Sequence, residues 1–231
     1  MNYIGAIEAG GTKFVCAIGN SDGQIFKKIR IDTETPEITM PKVIEFFQSN
    51  EKKFPIISLG IGCFGPVDPN KLSDTFGFIT STPKLSWRNF DIVQTLEKAL
   101  NVPVGFDTDV NAAALGEYYW GAARNLTDFI YLTIGTGIGG GVMVNKSLLH
   151  GVMHAEMGHV LIPQNKEKDP FEGICPYHKN CLEGLASGPA IKERWQVNSA
   201  LDLPKEHQAW ELQAEYLAIG LCNYVLCYSP Q

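Results

Sequence analysis

Two glycine-rich turns, each set between short apolar runs, constrain this chain more than any other feature. Glu8-Ala9-Gly10-Gly11-Thr12-Lys13 separates apolar runs at 3–8 and 14–19. The segment 133–141, Thr-Ile-Gly-Thr-Gly-Ile-Gly-Gly-Gly, separates 129–134 from 142–144. Short apolar runs bounded by glycine read as strands. Paired glycines let backbone N–H groups approach a bound anion, and Thr12 and Lys13 add a hydroxyl and a charge. A single turn of this kind reads as a plain hairpin. Two in one chain suit a phosphate chain held from two sides, which favours a nucleotide. Neither is a Walker A loop, which needs a strand running into a helix and a Gly-Lys-Ser/Thr ending.

The remaining pattern alternates strand and helix. Asp22-Gly23 is a hairpin signal leading into a third apolar run at 24–31. Helical spacing follows at 41–48, through Val43, Ile44, Phe46 and Phe47, and a buried strand at 56–63 ends in Phe64-Gly65-Pro66. A helix at 91–100, a strand at 102–106, a helix at 112–120 and a long helix at 211–228 are predicted, with 163–187 irregular. This order predicts two duplicated α/β lobes, 1–113 and 114–231, with a cleft between them. The 231 residues, 45% hydrophobic, are ample for a buried core. A net charge of −6 argues against nucleic acid or an anionic membrane as the main partner. With no run of eighteen apolar residues and a strand pattern entered directly at Tyr3, neither a membrane span nor a leader is expected. The expected location is the cytoplasm.

The six cysteines divide by context. Cys16, Cys63, Cys222 and Cys227 stand in apolar runs and read as buried core thiols. Cys175-Pro-Tyr-His178-Lys-Asn-Cys181 is a Cys-x2-His-x2-Cys cluster, and His159 stands upstream in His154-Ala-Glu156-Met-Gly-His159. Two thiolates and two imidazoles make a closed tetrahedral zinc site, structural because no coordination position stays open. The loop tied by this knot spans about 159–185, and its neighbours Glu156 and Glu183 exceed what a staple needs. His150 and His154 read as surface or core residues.

Asp107-Thr108-Asp109-Val110-Asn111 sits at a strand end just before a helix. Ligands in α/β sheets collect at the carboxyl ends of strands, and a carboxylate there can take a proton from a hydroxyl. Thr108 or Asp109 could instead cap the helix. Capping accounts for one such residue, not for two aspartates and an asparagine in five positions.

Taken together, four segments resemble the ROK family of sugar kinases and repressors, in its bacterial fructokinase branch. They are Ile7-Glu-Ala-Gly-Gly-Thr-Lys-Phe14, Thr80-Ser-Thr-Pro-Lys84 with Trp87, Asp107 through Glu117, and Cys175-Pro-Tyr-His178 through Gly184. The resemblance implies two actin-like ATPase (ribonuclease H-like) lobes and an ATP-dependent hexose kinase that phosphorylates D-fructose at the 6-hydroxyl. It makes Asp109 the general base. It gives the ATP phosphates to Gly10, Gly11, Thr12 and Lys13 and to Thr133, Gly135, Thr136 and Gly137, with Gly188 and Pro189 beside the nucleotide. Glu8 would reach Mg²⁺ through water. Gly65, Pro66, Asn111, Glu156, His159 and Glu183 match hexose-contacting positions, and His159, Cys175, His178 and Cys181 would bind zinc. The alternatives are a sugar-sensing repressor of the same family or a non-catalytic sugar-binding module. Family kinases continue past the helix at 211–228 with a strand and a glycine-rich segment on adenosine, so the second lobe is expected to be incomplete. The family often dimerises, and no sequence feature fixes an oligomeric state.

Overall fold

A computed structural model describes residues 2–231. By its internal contacts the chain forms two compact units. One runs up to Arg124 and takes in His150–His154; the other comprises Asn125–Leu149 and Ala155–Gln231. The boundary expected at 113/114 falls inside a helix, Asp109–Trp120, which stays whole with the first unit.

In the first unit, β1 (Tyr3–Ala9), β2 (Lys13–Gly19) and β3 (Ile25–Asp32) form an antiparallel meander. Helix α1 (Pro36–Asn50) leads to β4 (Ile56–Cys63), which pairs parallel to β1. A small hairpin of β5 (Phe78–Ile79) and β6 (Phe90–Asp91) precedes α2 (Ile92–Leu100), β7 (Val104–Thr108) and α3 (Asp109–Trp120). The sheet order is β3-β2-β1-β4-β7, with β7 parallel to β4. Burial along β1 alternates, Ile7 and Ala9 inward and Glu8 outward, as the period of two requires. The core packs Phe14, Ile18, Leu59, Ile79, Ile92 and Leu96 around Trp87, which is fully buried. Its indole N–H finds the Glu34 carbonyl at 2.7 Å, so the polar end of this large side chain is satisfied.

Helix α1 begins at Pro36 rather than at residue 41. Proline is well suited to the first turn, where its missing N–H costs nothing. Pro41 lies inside the helix, where the sequence pattern placed its start; five further buried side chains, Thr39 to Phe47, hold the turn around it.

The second unit opens with β8 (Phe129–Ile134), β9 (Ile138–Val144) and β10 (Ser147–Leu148), an antiparallel sheet in the order β10-β9-β8. Then come α4 (Leu182–Ala186), α5 (Gly188–Trp195) and α6 (Gln208–Tyr228). The segment expected to be irregular, 163–187, therefore contains one short helix. Its first half is pinned by buried Asp169, which accepts from Tyr216 Oη at 2.6 Å and Arg194 Nε at 3.2 Å.

Helix α6 buries Ala209, Leu212, Tyr216, Gly220 and Tyr224, a stripe at three- and four-residue steps. Cys222 and Cys227 lie off that stripe and are exposed, which corrects the expectation of four core cysteines. Their apolar sequence surroundings are the whole helix, and only its angular position separates inside from outside. Cys16 and Cys63 are buried as expected; burial pushes the Cys16 thiol up to about 12. Among the described residues no helix is long and apolar enough to cross a membrane.

Candidate functional site

Three strand ends bring the first unit's chemistry to one edge. The register pairs Ala9 with Cys63 and Cys63 with Thr108, so Glu8, near the end of β1, and Gly65-Pro66 and Asp109, just beyond β4 and β7, stand at the ends of adjacent parallel strands. Gly62 makes the arrangement compact: a Cβ there would come within 2.5 Å of Ala112 Cβ and 3.3 Å of Asp109 Cα. Its absence lets the first turn of α3 lie directly on β4.

The first glycine turn closes with Gly10 N–H donating to the Lys13 carbonyl at 2.9 Å. Thr33 braces it, its Oγ1 donating to the Gly10 carbonyl at 2.7 Å and its N–H to the Thr12 carbonyl at 3.0 Å. Lys84 lies alongside, its Cε 3.4 Å from where a Cβ on Gly11 would stand. The Gly65-Pro66 peptide is cis, and the Pro66 carbonyl accepts from Thr80 N–H at 2.8 Å. His154 is buried against this turn, with Nε2 accepting from Val67 N–H at 3.3 Å.

Thr108 is the cap of α3, its Oγ1 accepting from Asn111 N–H at 3.1 Å. Asp109 is thereby released from capping, and its carboxylate accepts from the adjacent Val110 N–H at 2.9 Å and from its own backbone N–H. Its carboxylate reaches solvent from within a protein surround. That desolvation raises its pKa above the ordinary value; the Val110 N–H opposes the shift, and nearby Glu8 adds to it. Asp107 turns the other way and joins Asn111 and His150, at 2.7 Å each.

In the second unit, the turn after β8 is tied at both sides. Gly135 N–H donates to the Gly137 carbonyl at 2.9 Å, and Gly188 N–H donates to the Gly135 carbonyl at 2.8 Å. Glu183 Oε2 accepts from Ile138 N–H at 2.9 Å and fills the space beside Gly137, where a Cβ would meet it at 2.7 Å. Thus Gly135, Gly137, Gly188 and Glu183 are brought together, with Thr136 exposed in the turn and Thr133 exposed near the end of β8. Glu156 is exposed, and its carbonyl accepts from His159 N–H at 3.0 Å.

His159, Cys175, His178 and Cys181 place their ligand atoms within 4.8 Å of one another. Nδ1 of His159 lies 3.6 Å from both sulfurs, and Nδ1 of His178 lies 3.7 Å from Cys175 Sγ. A tetrahedron with metal–sulfur bonds near 2.3 Å and metal–nitrogen bonds near 2.0–2.1 Å has edges of about 3.3–3.8 Å, those between nitrogen and sulfur about 3.5–3.6 Å. The donor set and its spacing therefore fit such an ion. Backbone N–H groups of His178 and Gly184 each approach a sulfur at 3.4 Å, the polarisation a buried thiolate needs. Nε2 of His159 is left facing Glu183 Oε1 at 4.0 Å.

The sheet order belongs to the actin-like ATPase fold shared by the solved sugar kinases that this chain resembles. The chain belongs to the ROK family, whose sequence model matches residues 4–231. It is 50% identical over 228 residues to a protein of Bacillus subtilis (strain 168) named "Putative fructokinase", covering 99% of this chain and 74% of that protein. Fructokinase of Lactococcus lactis subsp. cremoris is 43% identical over 229 residues, covering 99% of this chain and 76% of that one. The crystal structure of a ROK hexokinase from Thermus thermophilus superposes with a TM-score of 0.78 at 28% identity, covering 99% of this chain and 79% of that one.

Proposed function

We propose that this protein is an ATP-dependent hexose kinase that transfers phosphate to the 6-hydroxyl of D-fructose, with Asp109 as general base. The observation that carries the reading is Asp109 itself. It is an acid just beyond β7, relieved of helix capping by Thr108, in a desolvated setting near Glu8 and His154. Relatives named fructokinase at 43–50% identity support fructose as the sugar.

Phosphoryl transfer asks the protein mainly for positioning and charge stabilisation. Gly10, Gly11, Thr12 and Lys13 would hold phosphate oxygens, Gly10 by shaping the turn, since its own N–H is taken by the Lys13 carbonyl, and the other three by contact. Thr133, Gly135, Thr136 and Gly137 would do so in the second unit, with Gly188 and Pro189 beside the nucleotide. Glu8 would hold Mg²⁺ through water, where the ion neutralises charge on the transferring phosphate. Gly65 and Pro66, Asn111, Glu156, His159 and Glu183 would meet hexose hydroxyls, since carboxylates and amide oxygens accept from several at once. Zinc on His159, Cys175, His178 and Cys181 would be structural, as all four positions are filled by protein.

The test is ATP turnover by the purified chain with Mg²⁺ and D-fructose, D-glucose or D-mannose, the sugar phosphate identified by chromatography. Fructose 6-phosphate formed in step with ADP is the expected result. Turnover of glucose or mannose without fructose overturns the substrate, and no turnover with any sugar overturns the kinase. A pH profile checks the base. Asp109 must be ionised to accept a proton, so kcat/KM falls as pH drops through its raised pKa. The acid limb is therefore expected above the ordinary aspartate value of about 3.9. A limb at or below that value removes Asp109 as the titrating group.

A further inference from the structure

We propose that Asp107 and His150 form a positioning pair that locks the side-chain amide of Asn111, so that its oxygen alone is offered to the sugar. This rests on the reading that Asn111 contacts the hexose.

The geometry leaves little freedom. Asp107 Oδ1 accepts from Asn111 Nδ2 at 2.7 Å and from Thr108 N–H at 2.8 Å. Asp107 Oδ2 is met by His150 Nε2 at 2.7 Å. An ionised carboxylate only accepts, so both partners must present protons to it. That requirement sets the two ambiguous groups at once: Asn111 turns its NH₂ toward Asp107, and His150 carries a proton on Nε2. Asn111 is 4% exposed, its backbone N–H is taken by Thr108, and its Oδ1 has no hydrogen-bond partner among the described residues.

An acceptor fixed in this way rewards a hydroxyl donor and rejects an acceptor. Without Asp107 the amide could rotate by half a turn and present either face, which halves the useful population and loosens the contact. His150 arrives from 43 residues further along the chain and occupies the second carboxylate oxygen, so Asp107 cannot swing away from Asn111. The pair acts through Asn111; neither member is a catalytic residue.

The experiment compares Asp107→Asn, His150→Leu, His150→Gln and Asn111→Ala with the parent. It reads the fructose KM, the ATP KM, kcat, calorimetric fructose binding and the unfolding midpoint. Asp107→Asn keeps the shape but can donate as well as accept. It is expected to raise the fructose KM and dissociation constant about tenfold, the scale of one charge-assisted hydrogen bond. The ATP KM and the unfolding midpoint should stay near parent values, and kcat within a few-fold. His150→Leu should raise the fructose KM several-fold. His150→Gln, which keeps an N–H at the same reach, should restore it to within about twofold. Unchanged fructose binding in Asp107→Asn, where Asn111→Ala weakens it, overturns the positioning role alone; unchanged binding in both overturns the reading of Asn111 as well. A common rise in both KM values with a lowered midpoint, which marks a fold defect, also overturns the positioning role alone. A parent chain that binds no hexose overturns the reading of Asn111 and this proposal with it.

Discussion

Replacing Asp109 with asparagine lowers kcat for hexose phosphorylation by about 10²–10⁴-fold, the range a positioned general base contributes. The substitution isolates chemistry because the side chain has so little structural work. Thr108 caps α3, and the Asp109 carboxylate accepts only local backbone N–H groups, those of Val110 and of Asp109 itself. Two small effects on stability oppose each other. The amide loses the favourable interaction of a carboxylate with the helix N-terminus, worth about 0.3–1 kcal/mol at an exposed site. It also escapes the repulsion from Glu8 that helps to raise the carboxyl. The unfolding midpoint should thus stay within a few degrees of the parent, and the fructose KM within a few-fold. Phosphorylation at a tenth of the parent rate or better would remove Asp109 as the base.

Cys175→Ser abolishes zinc binding and lowers the unfolding midpoint by on the order of 10 °C, at about 2–4 °C per kcal/mol for a chain of this size. Cys175 and Cys181 are 1% and 0% exposed. Burial raises the Cys181 thiol to about 11, so a thiolate there requires a bound cation. The donor cluster also closes the long stretch between the Met157–His159 turn and α4, which among the described residues holds no further helix or strand. A metal that binds only the folded loop contributes its binding free energy to folding. Metal analysis should give one zinc per parent chain and none in the variant, and chelation of the parent should reproduce the lowered midpoint. Undiminished zinc in Cys175→Ser would sink the four-ligand set.

The Cys/His donor cluster and both glycine turns were legible because each is largely local: spacing within a few residues already restricts what the backbone can do. The order of strands was legible for the same reason, since periods of two and of three to four residues survive in any window. Roles that depend on a partner far along the chain were not. Asp107 reads as one acid among several until His150 is seen against it. Glu183, matched by resemblance to a sugar contact, also holds the Ile138 N–H of the second glycine turn. Cys222 and Cys227 share an apolar stretch with the buried face of α6, and only the helix phase turns them outward.

The sequence by itself determined the alternation of strand and helix, the two glycine-rich turns, the Cys/His donor set and a group of strand-end acids among which local pattern alone did not choose. Those follow from short-range sterics and from the chemistry of residue types, which need no fold to operate. The tertiary structure decided which of the acids is free. It gave the cap to Thr108, the amide lock to Asp107 and desolvation to Asp109. Hydrogen-bond partners and dielectric surroundings are set by atoms distant in sequence, so they exist only once the strands and α3 have packed.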